Sequence, residues 1–121
     1  MPIVSIQIVG ELETSTVEKQ QVQNLTNTLG GIFDSAPGTT WVRLSAINQD
    51  HYAENDLPDT QLIRPVFVEV LKRTLADSQA LADEAQKISA AVAQEFGRPV
   101  ENVHILYLPA GEGRIAFGGK L

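Results

Sequence analysis

A strand, a long helix and a second strand follow one another twice in this chain, and that repetition restricts its folds more than any single residue does. In the first unit, Pro2 opens an apolar run to Val9 that reads as a strand. Ser15 followed by Glu18 has the spacing of a capping box, in which each side chain satisfies a free backbone N–H of the other's turn. Val17, Val22, Leu25, Leu29, Ile32 and Phe33 then fall on one helical stripe, until Pro37 and Gly38 break the run. Residues 41–47, Trp-Val-Arg-Leu-Ser-Ala-Ile, read as the second strand. The second unit repeats the order. Pro65 opens a strand to Leu71, and Leu81, Ala85, Ile88, Val92 and Phe96 form a helical stripe. Gly97 is the expected C-cap, Pro99 the stop, and residues 103–108 the fourth strand.

Strands joined through a helix are expected to lie parallel and to place that helix on one side of their sheet. Two such units predict an α+β, two-layer architecture, a four-stranded mixed sheet with both helices on one face. The whole chain reads as a single domain, residues 1–121, with units 2–48 and 65–108, a polar connection 49–64 and a tail 109–121. All four strands look apolar along their length, so the uncovered face is expected to be apolar and to be buried in an oligomer. The tail holds Ile115-Ala116-Phe117 between glycines, a pattern of turn, short strand and turn that suits pairing with a neighbouring subunit's sheet edge.

The composition excludes several classes. A net charge of -6 without a basic run disfavours nucleic acid and acidic membrane surfaces as partners. The chain has no cysteine, hence no disulfide or thiolate chemistry. No stretch approaches the about 18 apolar residues of a membrane span, and no basic-then-apolar leader opens the chain, so a cytoplasmic location is expected. Asp50, His51 and Glu54 are metal-ligating types, but nothing in their spacing enforces a coordination geometry. Gly111-Glu112-Gly113 opens no helix and lacks a following Lys-Ser/Thr, so it is no phosphate loop.

Two residues stand out chemically. An initiator Met ahead of Pro2 is of the kind aminopeptidases remove, and removal leaves proline as a free secondary amine. In an apolar pocket, desolvation favours the neutral amine and brings its pKa towards ambient pH, where one group serves as both base and acid. Proline also simply starts edge strands, so this chemistry is one of two readings. Arg43 sits inside the second strand. Facing solvent it is a surface charge; facing a cleft it is a carboxylate anchor through two parallel hydrogen bonds.

With Pro2-Ile3 at one end and Gly113-Arg-Ile-Ala-Phe-Gly-Gly119 at the other, the chain resembles the tautomerase superfamily. That group includes 4-oxalocrotonate tautomerase, 5-carboxymethyl-2-hydroxymuconate isomerase and macrophage migration inhibitory factor. The resemblance covers nearly the whole chain except 49–64, and its length and duplication are similar to those of the long-subunit, homotrimeric members. It implies that Pro2 carries the proton in keto–enol exchange or a double-bond shift of a small carboxylic acid, with no cofactor. It implies substrate-binding roles for Arg43 and Arg73, the strand position for His104 where one branch has an active-site tyrosine, and a pocket wall at Ile115. Tyr107 and Tyr52 are further candidate walls, and Trp41 reads as packing. The pocket lysine of the inflammatory-factor branch has no counterpart in Ser35-Ala-Pro-Gly-Thr-Thr40. The same fold also carries dehalogenases and decarboxylases, for which Glu112 and the acidic 50–59 stretch leave room, and it admits a trimer without enzymatic activity.

Overall fold

The computed structural model describes residues 2–10, 15–57 and 63–121. Six main elements follow in the order β1 (Ile3–Val9), α1 (Ser15–Ile32), β2 (Trp41–Ile47), β3 (Val66–Leu71), α2 (Ser78–Phe96) and β4 (Val103–Tyr107). Short 3₁₀ turns at Gln49–His51 and Val100–Asn102 precede the connection to β3 and the entry to β4. The sheet order is β2-β1-β3-β4. β1 runs parallel to β2, and β3 parallel to β4, as the helical connections require. The two units meet through the antiparallel β1–β3 pair, which makes the sheet mixed.

Alternation along the strands decides which side is covered. Val4, Ile6 and Ile8 of β1 and Val66, Val68 and Val70 of β3 are buried against the helices, with Leu25 and Leu29 from α1 and Ile88 and Val92 from α2. Each such side chain contributes about 1.5–3 kcal/mol by leaving water. α1 packs on α2 and β2, and α2 on β4. No helix among the described residues is long and apolar enough to cross a membrane.

The helix ends follow from local chemistry. Asp77 caps α2, its carboxylate accepting the Ala80 N–H at 2.9 Å, and Gly97 closes it at φ 64°, a conformation without penalty only for glycine. α1 ends at Ile32, where Asp34 takes a positive φ of 54° and the Ser35 N–H returns to the Gly30 carbonyl. The Ser15–Glu18 capping box, the turn at 11–13 and the Val17 end of the stripe rest on side chains outside the described residues, as do residues 58–62 of the connection. Replacing Asp77 with Ala is expected to lower stability by about 1 kcal/mol, the worth of one N-cap bond, as a lower midpoint in urea at unchanged slope.

The uncovered face differs from the expectation of an apolar patch. It carries Ser5 and Gln7 from β1, Arg43 and Ser45 from β2, Glu69 from β3 and His104 from β4, among apolar neighbours such as Phe67 and Leu106. The apolarity of whole strands concealed this, because their buried alternate positions supply most of it. In register, Arg43, Ser5 and Glu69 lie side by side, and the Arg43 guanidinium donates to the Ser5 hydroxyl at 2.8 Å. Further along, the Phe67 ring stands between Tyr52 and His104, with centroids 6.0 and 5.6 Å away.

The tail also departs from expectation. Ile115–Phe117 forms no strand; an isolated bridge between Phe117 and Lys120 closes over Gly118 and Gly119, both at positive φ. A strand needs a partner's backbone groups, and here those of Phe117 are met inside its own turn. Phe117 packs edge-on against Trp41 at 5.7 Å, which gives Trp41 the packing role its sequence position implied.

Candidate active site

Pro2 lies at the one place where the start of β1 meets the end of β3. Because Ile3 pairs with Leu71, the residues leaving β3 pass directly beside Pro2. On the other side its carbonyl accepts the Trp41 N–H at 3.0 Å, which ties it to the start of β2. Pro2 itself is buried. It lines a hollow of about 360 Å³ whose wall comes from Phe33, Asp34, Ser35 and Thr39 between α1 and β2, and from Lys72, Arg73 and Thr74 after β3. The hollow therefore combines two cations, one carboxylate, three hydroxyls and an aromatic ring around a proline.

The cations are held differently. The Lys72 ammonium sits 2.9 Å from one Glu84 carboxylate oxygen, and both side chains are largely buried. The other Glu84 oxygen accepts the Tyr107 hydroxyl at 2.9 Å. Burial, then the Glu84 hydrogen bond and charge, push the Tyr107 hydroxyl well above the ordinary tyrosine range, so it remains a donor to Glu84 at any physiological pH. The Lys72 ammonium also stands 5.3 Å from the centre of the Phe33 ring. Arg73 is exposed; among the described residues only its backbone is tied, its carbonyl accepting the Glu112 N–H at 3.0 Å.

Arg73 also borders a second hollow of about 250 Å³, lined by Gly111, Gly113, Ile115, Phe117, Lys120 and Leu121. Ile115 is a wall there and packs onto Gly111 so closely that a Cβ on Gly111 would come within 2.5 Å of its Cδ1 atom. Of the residues singled out from the sequence, Pro2 and Arg73 thus share one hollow, and Arg73 and Ile115 the adjoining one. Tyr107 lies behind the first hollow, through Glu84. Arg43 and His104 are on the opposite face of the sheet, and neither is among the residues that line the Pro2 hollow.

A larger depression, about 420 Å³, lies on that opposite face between Ser5, Arg43, Phe67 and Glu69. It is an open trough whose arginine is already bonded to Ser5, and it holds no amine or ring nitrogen placed as a base. The chemistry therefore points to the smaller hollow at Pro2. Tyr52, another candidate wall, donates to Glu54 on the connection; burial and that carboxylate raise its pKa to about 12. Lys72 and Glu84 are the residues that the sequence reading missed. Their only sequence signal was the position of Lys72 just past β3, an even number of residues from the buried Val66, Val68 and Val70.

A four-stranded mixed sheet built from two βαβ units, with both helices on one face, is the architecture of the tautomerase and MIF structures. The chain has the tautomerase/MIF fold. It is similar to a W0 fused 4-OT wild-type symmetric trimer, with TM-score 0.77 and 12% identity over 98% of this chain and 96% of that one. It is also similar to Leishmania major MIF2, with TM-score 0.67 and 17% identity over 89% and 87% of the two chains. A third similar structure is Pt0534 inactivated by 2-oxo-3-pentynoate, with TM-score 0.71 and 15% identity over 88% and 84%. No family model matches the sequence, and no curated protein matches it.

Proposed function

We propose that this chain is a tautomerase that uses the amine of Pro2, freed by removal of Met1, to move a proton in a small 2-oxo or 2-hydroxy carboxylic acid. The observation that carries this reading is the burial of Pro2 in a hollow that also presents two cations. Partial desolvation and neighbouring positive charge both disfavour the protonated amine, so neutral Pro2 is available as a base near neutral pH. For ketonisation of an enol, neutral Pro2 takes the hydroxyl proton as the C=O bond forms, and protonated Pro2 then delivers that proton to carbon, where the former C=C pair makes the new C–H bond. The reverse direction uses neutral Pro2 on the same C–H bond.

Arg73, exposed at the junction of two hollows, is the anchor for the substrate carboxylate. The 2-oxo acid named with one structural neighbour supports that substrate class, and the trimer named with another supports a homotrimer. In such an assembly the uncovered sheet face becomes interior, so Arg43 and His104 reach a substrate only across a subunit boundary.

The test is ultraviolet ketonisation of phenylenolpyruvate and 2-hydroxymuconate by the wild type. Turnover above the buffer rate supports the reading; its absence with both substrates removes it. Arg73→Ala is expected to raise KM for these acids about 10- to 100-fold, the worth of a charged hydrogen bond, with a smaller change in kcat. An equal rise for a neutral enol would take Arg73 out of the carboxylate role.

A further inference from the structure

We infer that Lys72, held by Glu84 and Tyr107, is the donor that stabilises the enolate oxygen in the Pro2 hollow; the kinetic side of this inference rests on the proline reading above. A lysine ammonium has three N–H donors. One is spent on Glu84 at 2.9 Å, and among the described residues the others have no acceptor. Lys72 lines the cavity that Pro2 lines.

The arrangement is directional. Glu84 reaches from α2, its two oxygens divided between Lys72 and Tyr107, so neither carboxylate oxygen is left to draw the ammonium elsewhere. Phe33 flanks the ammonium from the end of α1. A lysine tethered in this way loses less freedom when it binds an anion than a free one does. Its side chain is 19% exposed, whereas Arg73 is an exposed residue. The two cations thus divide the work: Arg73 at the outer junction takes the carboxylate, and Lys72 meets the oxygen on which charge develops. When Pro2 takes the proton from carbon, the C–H electron pair becomes the C=C bond and the carbonyl pair moves to oxygen. A Lys72 N–H then bonds to that oxygen, and the step reverses as Pro2 returns the proton. The charged or titratable groups around the hollow are Asp34, Arg73, Glu84 and Tyr107, besides Pro2 and Lys72 themselves. Glu84 and Tyr107 touch no substrate; they are positioning residues.

The experiment pairs kinetics with binding of oxalate, a planar dianion that resembles a 2-oxo acid enolate. Lys72→Met is expected to lower kcat about 10²- to 10³-fold, as loss of one oxyanion donor does, with KM within about threefold. Lys72→Arg should recover much of the loss. Oxalate should bind Lys72→Met at least about tenfold more weakly than wild type by calorimetry, a loss expected where one charged hydrogen bond is removed. Glu84→Gln keeps the ammonium, so it should retain oxalate affinity while losing about tenfold in kcat, a split that a purely structural salt bridge would not produce. The Lys72→Met/Glu84→Gln double variant leaves no unpaired carboxylate, and it should show the same loss of oxalate binding if the single variant folds poorly. Oxalate binding unchanged by loss of Lys72, or absent from wild type, overturns the inference. So does a kcat within about threefold of wild type in Lys72→Met, against the 10²-fold expected for such a donor. Failure of the proline reading is seen separately, as full activity in Pro2→Ala, and the oxalate arm then still decides the role of Lys72.

Discussion

Pro2→Ala, with Met1 absent from both proteins, is expected to lower kcat for ketonisation of phenylenolpyruvate by about 10²-fold or more, the usual worth of a positioned general acid–base. Alanine keeps an amino terminus, so the loss reports placement and not the mere presence of an amine. Pro2 is fixed by its ring and by the bond from Trp41 to its carbonyl, and its nitrogen has no stem that can swing. The alanine amine gains a freely rotating bond and loses ring contacts with the hollow wall, so fewer of its orientations reach a substrate carbon. KM should change little, because the carboxylate anchor proposed above is Arg73, another residue of the hollow wall. Retained Met1 is expected to abolish activity as completely, since proline nitrogen in an amide has no basicity. Intact-mass spectrometry identifies which form is assayed. Activity of the alanine variant within about threefold of wild type would move the proton transfer to another group.

The fold was legible because its signals are local. The stripes ending at Phe33 and Phe96, the left-handed Gly97 and the proline-led strands each depend on neighbours a few residues away, and they predict the elements found. Of the candidate site, the sequence foreshadowed the part that hangs on strand ends, since Pro2 and Arg73 line one hollow. The faces were less so. Register places Val4 opposite Val42, and Arg43 therefore points away from the side Pro2 shares with Val4. The same argument puts His104, opposite Phe67, on the uncovered face. Resemblance ranked these residues by type and strand, whereas parity separates them. The link of Lys72 and Glu84 to Tyr107 was hidden for another reason. The three residues come from the exit of β3, from α2 and from β4, and only the packing of α2 on the sheet brings them within one chain of hydrogen bonds.

Leu29→Ala is expected to cost about 3 kcal/mol of stability, within the roughly 2–5 kcal/mol seen when a fully buried leucine is emptied. At this chain length that lowers Tm by about 10 °C. Leu29 has no exposed surface, and it lies in the core with Leu25, Ile88 and Val92. Its position also couples stability to the hollow. The Leu29 carbonyl accepts the Phe33 N–H at 2.9 Å, and the Gly30 carbonyl accepts that of Ser35 at 2.9 Å. Ser35 in turn accepts the Thr40 hydroxyl at 2.7 Å, one residue before β2. The last turn of α1 is thus an anchor for Phe33, Asp34 and Ser35, three residues of the wall facing Pro2. A cavity beneath it lets that turn shift, and a shift of the wall loosens substrate placement. The variant should therefore lose activity at temperatures where it is still folded, with KM and kcat both affected. Thr28→Ala is the control: Thr28 is exposed, and its hydroxyl bonds back to the Asn24 carbonyl of its own helix. Its change should stay within about 0.5 kcal/mol and leave turnover unaltered. Thermal and urea unfolding at matched protein concentration separate the two variants, since an oligomer's midpoint depends on concentration. A Leu29→Ala loss below about 1 kcal/mol would mean that the core closes over the vacancy, against the 2 kcal/mol floor for such sites. In that case the wall at Phe33–Ser35 would owe its position to β2 and not to the buried end of α1.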